Sequence, residues 1–427
     1  MNDSPRAVAL SVIRRVTEEG AYSTLVLSAA IERSGLDGRD RELATELVYG
    51  TLRKLVPIDW AIERHTDRPL ARATPSGRAL LRLGAYQIVF TRIPDHAAVS
   101  ETVELAGPVE RGFVNAVLRK LAADPPVFPG GGSDGSISLR TGLASWAVRE
   151  LRDHVGDEVE AAAMALATHP RLAVRANTCR VSSNALAERI GKAGHEVRRG
   201  RLHPDTLLVD AVAPRRLPGW SEGLFTVQDE ASAFVVTALD PRPGDRVLDA
   251  CAAPGGKASH VACLVGDDGL TVAGDAAPRR AGLVAALAAR LGVPVRVVAQ
   301  DARRPAVRGP FDRILVDAPC SGLGAARRRP ELLWRPRREN GPSLSRLQTA
   351  IVRGVAGLLA PAGRLVYSVC TFPRGETNAV CDAILRDVPD LEAAPIEGPD
   401  EEGPRVRLWP HRHGTDAMFV AAFRRPE

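Results

Sequence analysis

From about Thr226 onward the chain alternates short apolar runs with segments the length of a helix, and no other feature restricts its fold so tightly. VLDA, LTVAGD, VRVVAQD, RILVDAP and LVYSVC are each separated by roughly one helix. Strands joined through a helix pair in parallel, so this rhythm predicts an α/β domain built on a doubly wound parallel sheet. Before the last of these strands, Ser345 to Gln348 has the form of a capping box, with Leu347, Ile351, Val355 and Leu358 on one face and Pro361 and Gly363 beyond them.

Upstream the pattern changes. From Arg6 to about Leu121 it is helical, with Val8, Val12, Ile13 and Val16 on one face and the same spacing in ATELVYGTLR and ALLRLGAYQIVF. PPVFPGGGSDGSIS, Pro125 to Ser138, has too few apolar residues to pack and is expected to be a flexible linker. A mixed stretch follows, with helical LASWAVRELRDHV, strand-like RLAVRANT, a helix from Ser183 through Ile190, and strands near HEVRRG and TLLVD. The expected division is an all-helical part over 1–124, a linker over 125–140, a small α/β subdomain over 141–224, and the parallel-sheet domain over 225–427.

The 427 residues are 45% hydrophobic and 25% charged, enough for several full cores. No uncharged apolar run reaches membrane-spanning length and MNDSPRAVALSVIRR has no signal-peptide core, so a cytoplasmic protein is expected. The six cysteines include no C-x-x-C pair, so neither a disulfide framework nor a zinc site is suggested and free thiols are the expectation. A net charge of +6 gives modest support to a polyanionic partner.

In doubly wound sheets ligands lie beyond the carboxyl ends of the strands. The first such end is VLDACAAPGGKASHVA, where Gly255 and Gly256 let the backbone approach a ligand before a helix beginning near Lys257. It is neither a G-x-G-x-x-G fingerprint nor a phosphate-binding G-x-x-x-x-G-K-[ST] loop, and the glycines alone fit a tight turn equally well. Asp275 closes the second strand 19 residues after Gly256, where an acid can accept both hydroxyls of a ribose. Asp301 closes the third, though an Asp there also suits a helix N-cap. Acids at successive strand ends without a phosphate site suit a nucleoside cofactor, of which S-adenosylmethionine is the obvious one.

DACAAPGGK, DAPCSG and LVYSVCTFPRGETNAV, in this order and spacing, resemble the signature segments of the RNA cytosine-5 methyltransferases. DRELATELVYGTLR, LRLGAYQIVF, IPDHAAVSETVELA and GFVNAVLRKL resemble the NusB-like domain of the RsmB (Fmu/Sun) branch, which modifies small-subunit ribosomal RNA; FTVQDEAS and GTDAMFVAAF also resemble that family. The resemblance covers almost the whole chain. It implies a Rossmann-like class I methyltransferase domain preceded by an all-helical NusB-like domain and a small connecting subdomain. It also implies that Cys251, Ala252, Ala253, Pro254, Gly255, Gly256 and Lys257, with Asp275, Asp301 and Asp317, bind S-adenosylmethionine.

Carbon 5 of cytosine becomes nucleophilic once a thiolate has added to carbon 6, and the thiolate must later be expelled. Cys320, after RILVDAP, and Cys370, in LVYSVC, stand at neighbouring strand ends and are expected to face one pocket. A Pro-Cys pair carries the nucleophile in DNA cytosine methyltransferases, which would nominate Cys320. The RNA family that the chain resembles uses the later cysteine, which makes Cys370 the expected nucleophile and Cys320 the residue assisting release. Asp317 is expected to hydrogen-bond the ring, and Lys257 to orient the base or lower a thiol pKa. Cys179, Cys263 and Cys381 are expected to be small buried hydrophobes. The family has Thr before the nucleophile where this chain has Val369, and Ser368 is expected to point to the opposite strand face from that position. Ala326 to Arg338 sets six arginines around Trp334, which suits phosphate contacts with a stacking ring. Competing readings are a transfer-RNA cytosine methyltransferase and a ribosome-assembly factor in which methylation is secondary.

Overall fold

A computed structural model describes residues 4–211, 213–335, 341–400 and 402–427. They pack as two units, one formed by 4–168 together with 326–335 and the other by the remainder.

The first unit is helical. It contains α1 (Pro5–Glu18), α2 (Ser23–Ser34), α3 (Gly38–Arg53), α4 (Leu55–Glu63), α5 (Pro75–Phe90), α6 (Asp95–Glu104) and α7 (Pro108–Ala123). α1 begins where the Ser4 hydroxyl accepts the Ala7 amide and Pro5 presets the backbone. Val8, Val12, Ile13 and Val16 are buried as their spacing requires. Leu47, Leu52, Ile58 and Ile62 of α3 and α4 are fully buried in the same unit, each contributing on the order of 1.5–3 kcal/mol.

The segment expected to be a flexible linker is tied down. The Phe128 ring sits 5.5 Å from Trp60 and 5.8 Å from Phe90, and Arg140 donates to the carbonyls of Pro129 and Gly131. Its last part is helix α8 (Asp134–Thr141), started by Ser133, whose hydroxyl accepts the Ser136 amide. The sequence reading missed that single aromatic residues can anchor a stretch poor in apolar side chains. α8, α9 (Ser145–Val155) and α10 (Val159–Leu166) all pack in this unit.

Residues 326–335, which follow the Cys320 turn in sequence, also pack here. Glu331 is fully buried and accepts the Ser23 hydroxyl at 2.6 Å. The Trp334 indole N–H donates to the Leu52 carbonyl at 2.9 Å while its ring packs on the helical core. Arg335 donates to the carbonyls of Gly20 and Ala21, and Arg329 and Arg335 lie over the Tyr22 ring. The stacking role expected of Trp334 is therefore corrected: its N–H and ring are engaged within the protein. Arg337 and Arg338, part of the same expectation, lie outside the described residues.

The second unit holds two main sheets. β1 (Leu172–Ala176), β2 (Val197–Arg199), β3 (Thr206–Val209) and β4 (Phe225–Val227) form an antiparallel sheet in the order β2-β3-β1-β4, with α11 (Ser183–Lys192) against it. The larger sheet contains β5 (Arg246–Asp249), β6 (Leu270–Asp275), β7 (Arg296–Ala299), β8 (Phe311–Asp317) and β9 (Leu359–Val369), all parallel where they pair. β10 (Glu392–Ala394) and β14 (Met418–Arg424) extend it antiparallel beyond β9, and β13 (Arg405–Leu408) pairs with β14; a small ribbon of β11 (Ile396–Glu397) and β12 (Glu402–Gly403) stands apart. The order β10-β14-β9-β8-β5-β6-β7 puts the first parallel strand in the middle, so the chain reverses direction across the sheet at β5 and β8 and opens a crevice at their carboxyl ends. The helices are α12 (Glu230–Leu239), α13 (Gly256–Val265), α14 (Pro278–Leu291), α15 (Gly341–Ala356) and α16 (Asn378–Asp387).

Two expectations are corrected in this unit. α15 starts at Gly341, so Ser345 lies inside the helix and is not its cap. Cys179 and Cys263 are joined in a disulfide, not free, and Cys179 is exposed; 84 residues separate them, too far apart in sequence for spacing to suggest the pair. Cys381 is a buried free cysteine in the apolar core, as its surroundings in α16 suggest. No described helix is long and apolar enough to cross a membrane.

Candidate active site

β5 delivers Asp249 into the crevice and the chain turns at once into α13. The turn is fixed from both sides, because the Ala250 amide donates to Leu315 of β8 and the Ala252 amide to Gly274 of β6. Gly255 has φ +110°, and a Cβ there would come within 3.1 Å of the Val284 backbone, so only glycine lets the loop pack this closely on α14. Ala252 is buried, Cys251 and Ala253 are half-buried, and Pro254 is exposed. Burial and then Asp249 push the Cys251 thiol far above the ordinary range, which makes it an inert wall of the loop.

Asp249 is 1% exposed, and neither carboxylate oxygen has a hydrogen-bond partner of good geometry. Burial, followed by the charge of Asp317, raises its pKa to about 7. The sign follows from linkage. A carboxyl whose pKa is raised on folding favours the folded state below its ordinary value near 3.8, and that contribution disappears as pH rises through 7. Asp249→Asn, which cannot ionise, is expected to remove this slope. In urea unfolding, wild type should lose up to about 4 kcal/mol relative to the variant between pH 4 and pH 7, and a constant difference would show that Asp249 is already charged at pH 4.

Asp275 ends β6 and is nearly buried, with one oxygen accepting the Ala277 amide and the other paired with Arg280 at 3.1 Å. Asp301 follows β7 at a partly exposed position. It accepts the Arg303 amide and pairs with the Arg303 guanidinium, whose hydrogen bonds hold its carboxyl below the usual range. A turn follows it, so Asp301 closes a local turn here and caps no helix.

Asp317, the last residue of β8, is a hub. Its Oδ2 accepts Lys257 Nζ at 2.6 Å and its Oδ1 accepts the Ser368 hydroxyl at 2.7 Å. Burial opposes the charge on Lys257, but Asp317 and then Asp249 outweigh it and hold the ammonium above the ordinary lysine value. Ser368 is fully buried, and Val369 faces the apolar core. Being two residues before Cys370 on the strand, Ser368 shares its face; this hydroxyl was legible in the period-2 pattern, yet the sequence reading gave it no role.

Beyond Asp317 the chain makes a turn in which Ala318 N–H donates to the Ser368 carbonyl and Gly324 N–H donates to the Cys370 carbonyl. Gly324 also accepts the Ala417 amide, and any side chain on it would strike the Ala417 carbonyl. The turn is thereby pressed onto the end of β9, and Cys320 Sγ lies 3.5 Å from Cys370 Sγ. The hydrogen bond shared with Cys320 holds Cys370 below the ordinary thiol range, with Lys257 helping against burial and Asp317. The same hydrogen bond and burial drive Cys320 well above it. Three polar residues around this turn had no role there assigned from the sequence, although Gln348 lies in the expected capping box and the other two lie in LVYSVCTFPRGETNAV. They are Thr371, whose hydroxyl meets that of Ser321 at 2.7 Å, Gln348, and the buried Glu376, which accepts the Ser321 amide at 2.8 Å.

A parallel sheet with acids lining the crevice at its switch point, and a thiol pair beside them, defines a Rossmann-like methyltransferase. Residues 236–424 match the family model of the 16S rRNA methyltransferase RsmB/F, residues 3–123 match the NusB family, and 143–214 match the ferredoxin-like domain of RsmF/B-like methyltransferases. A Mycobacterium tuberculosis protein described only as a methyltransferase is 37% identical, covering 99% of this chain and 97% of its own. The ribosomal RNA small subunit methyltransferase B of Escherichia coli is 32% identical over 97% of both chains. The crystal structure of the protein PH0851 superposes with a TM-score of 0.85 at 25% identity, covering 98% of each. The chain belongs to the RsmB/F family of RNA methyltransferases, and S-adenosylmethionine is the methyl donor. The crevice suits that cationic donor on its own chemistry. Asp249, Asp275 and Asp317 act electrostatically on one another there, and Asp249 has unsatisfied acceptor oxygens.

Proposed function

We propose that this protein methylates carbon 5 of a cytosine in small-subunit ribosomal RNA, in the cytoplasm, through a transient bond between the base and Cys370. The reading rests on one observation above all: two cysteine sulfurs 3.5 Å apart at the ends of adjacent parallel strands, beside a half-buried lysine–aspartate pair. Methylation of an amine or a hydroxyl has no use for a thiol, whereas carbon 5 of cytosine takes a methyl group only after a thiolate has added at carbon 6.

S-adenosylmethionine supplies the electrophilic methyl group. Cys370 is the nucleophile, since Cys320 and Lys257 both favour its thiolate. After transfer, a base removes the proton on carbon 5, its electron pair restores the ring double bond, and the carbon 6 to sulfur bond breaks to return the Cys370 thiolate. Cys320 assists that expulsion. Asp317, oriented by Ser368 and Lys257, hydrogen-bonds ring nitrogen 3 or the exocyclic amine as charge develops there. The loop from Cys251 to Lys257, with Asp275, Asp301 and Asp317, holds the cofactor. Carbon 6 is reached only when the base is out of its stack, which is easiest in an RNA loop.

The test supplies labelled S-adenosylmethionine with either deproteinised small-subunit rRNA or a transfer-RNA pool and identifies the labelled nucleoside. Label in 5-methylcytidine of rRNA is expected. Label in transfer RNA alone would move the substrate, and label in any other nucleoside would overturn the reading.

A further inference from the structure

Cys320 lies in a turn outside regular structure, yet its two flanking peptide groups are both held from elsewhere. On its C-terminal side the Ser321 amide donates to Glu376 Oε2 at 2.8 Å. On its N-terminal side the Pro319 carbonyl accepts Gln348 Nε2 at 3.0 Å, and the same amide nitrogen lies 3.2 Å from Glu376 Oε2. Glu376 and Gln348 therefore meet behind the turn and grip it at both ends. Glu376 is 4% exposed and Gln348 fully buried. Their own positions are set independently: Gln348 lies in α15, and the Glu376 carbonyl accepts the hydroxyl of the fully buried Tyr367 at 2.7 Å. Tyr367 lies on β9, three residues before Cys370, so the clamp is referenced to the strand that runs directly into the second cysteine.

We propose that Glu376, acting with Gln348, is the positioning residue for Cys320: the carboxylate and the amide hold the peptide groups on either side of that cysteine and so fix its sulfur against Cys370. A carboxylate suits this task better than a neutral acceptor, because hydrogen bonds to a charged group are shorter and stronger. Nothing else in the reaction as derived above calls on Glu376. The inference rests on the proposed division of labour between the cysteines only where it concerns release of the base; the placement of Cys320 can be measured without the reaction.

Mild oxidation with diamide, which takes two electrons from the thiol pair and is reduced to its hydrazine, closes a Cys320–Cys370 disulfide that peptide mass spectrometry can time. In Glu376→Ala this closure is expected to slow about tenfold or more, given how steeply such encounters depend on displacements near 1 Å. Glu376→Gln, which keeps an acceptor oxygen, should stay closer to wild type than Glu376→Ala. Gln348→Ala, which releases the other arm, should slow closure too and serves if Glu376→Ala does not fold. With RNA and cofactor present, Glu376→Ala should prolong the covalent adduct, whatever loss of the Cys320 hydrogen bond costs its formation; a merely structural defect would slow formation without prolonging the adduct. Closure at the wild-type rate in both alanine variants overturns the proposal. Failure of Cys320→Ala to prolong the adduct would instead overturn the release role of Cys320, and the oxidation rates would still decide whether Glu376 places that sulfur.

Discussion

Cys320→Ala is expected to leave a covalent RNA–protein adduct that survives denaturing electrophoresis, while Cys370→Ala forms no adduct and transfers no methyl group. The contrast follows from the asymmetry of the pair. The sulfurs lie 3.5 Å apart and share a hydrogen bond, and the neighbouring Lys257 favours negative charge on Cys370. Removing Cys370 takes away the only step that makes carbon 5 nucleophilic, so activity should fall to background and not merely decline. Removing Cys320 leaves attack possible but withdraws the assistance to expulsion, so turnover should drop while the bound intermediate accumulates. Adduct trapped in Cys370→Ala and none in Cys320→Ala would exchange the two assignments.

The second large effect concerns Lys257. Lys257→Met is expected to lower the free energy of unfolding by about 3 kcal/mol, near the low end for breaking a buried pair because the Asp317 side chain is 31% exposed. The loss arises on the acid side, where Asp317 and Asp249 would face each other without the ammonium between them. Because folding raises the lysine pKa, the stabilisation is present at all pH values below its ordinary titration and is lost only as pH climbs through the raised value. The deficit of Lys257→Met should thus grow as Asp249 ionises near pH 7 and shrink in strong alkali. Asp317→Asn keeps a partner for Ser368 but loses the charge, and methyl transfer should fall by about 10²–10³-fold. A urea series over pH and single-turnover kinetics check both, and an Asp317→Asn enzyme of full activity would remove that carboxylate from the chemistry.

Much of this architecture was readable because burial writes a period into a chain. VLDA, LTVAGD, VRVVAQD, RILVDAP and LVYSVC all became parallel strands, and Asp249, Asp275 and Asp317 fall where the apolar run and the strand end together. Ser368 was equally visible, since its expected face, opposite position 369, is the one that Cys370 two residues on continues. Gln348 was read as part of a helix cap since the local pattern allows it, whereas its partners, Pro319 and Glu376, lie 29 and 28 residues away. The same limit hid the Cys179–Cys263 bond and the anchoring of Phe128. Such contacts have no periodicity, because they depend on which loops the finished fold brings together.

The residence of 326–335 in the helical unit has a consequence for dissecting the molecule. The chain leaves its catalytic unit just after the Cys320 turn, supplies Glu331 and Trp334 to another core, and returns. No single cut therefore separates two self-sufficient pieces. A fragment ending near residue 168 lacks the partners of Ser23 and the Leu52 carbonyl, and one beginning there carries Trp334 away from the surface it covers. The modules matched in the sequence do not share their boundaries with the compact units, which are interleaved along the chain.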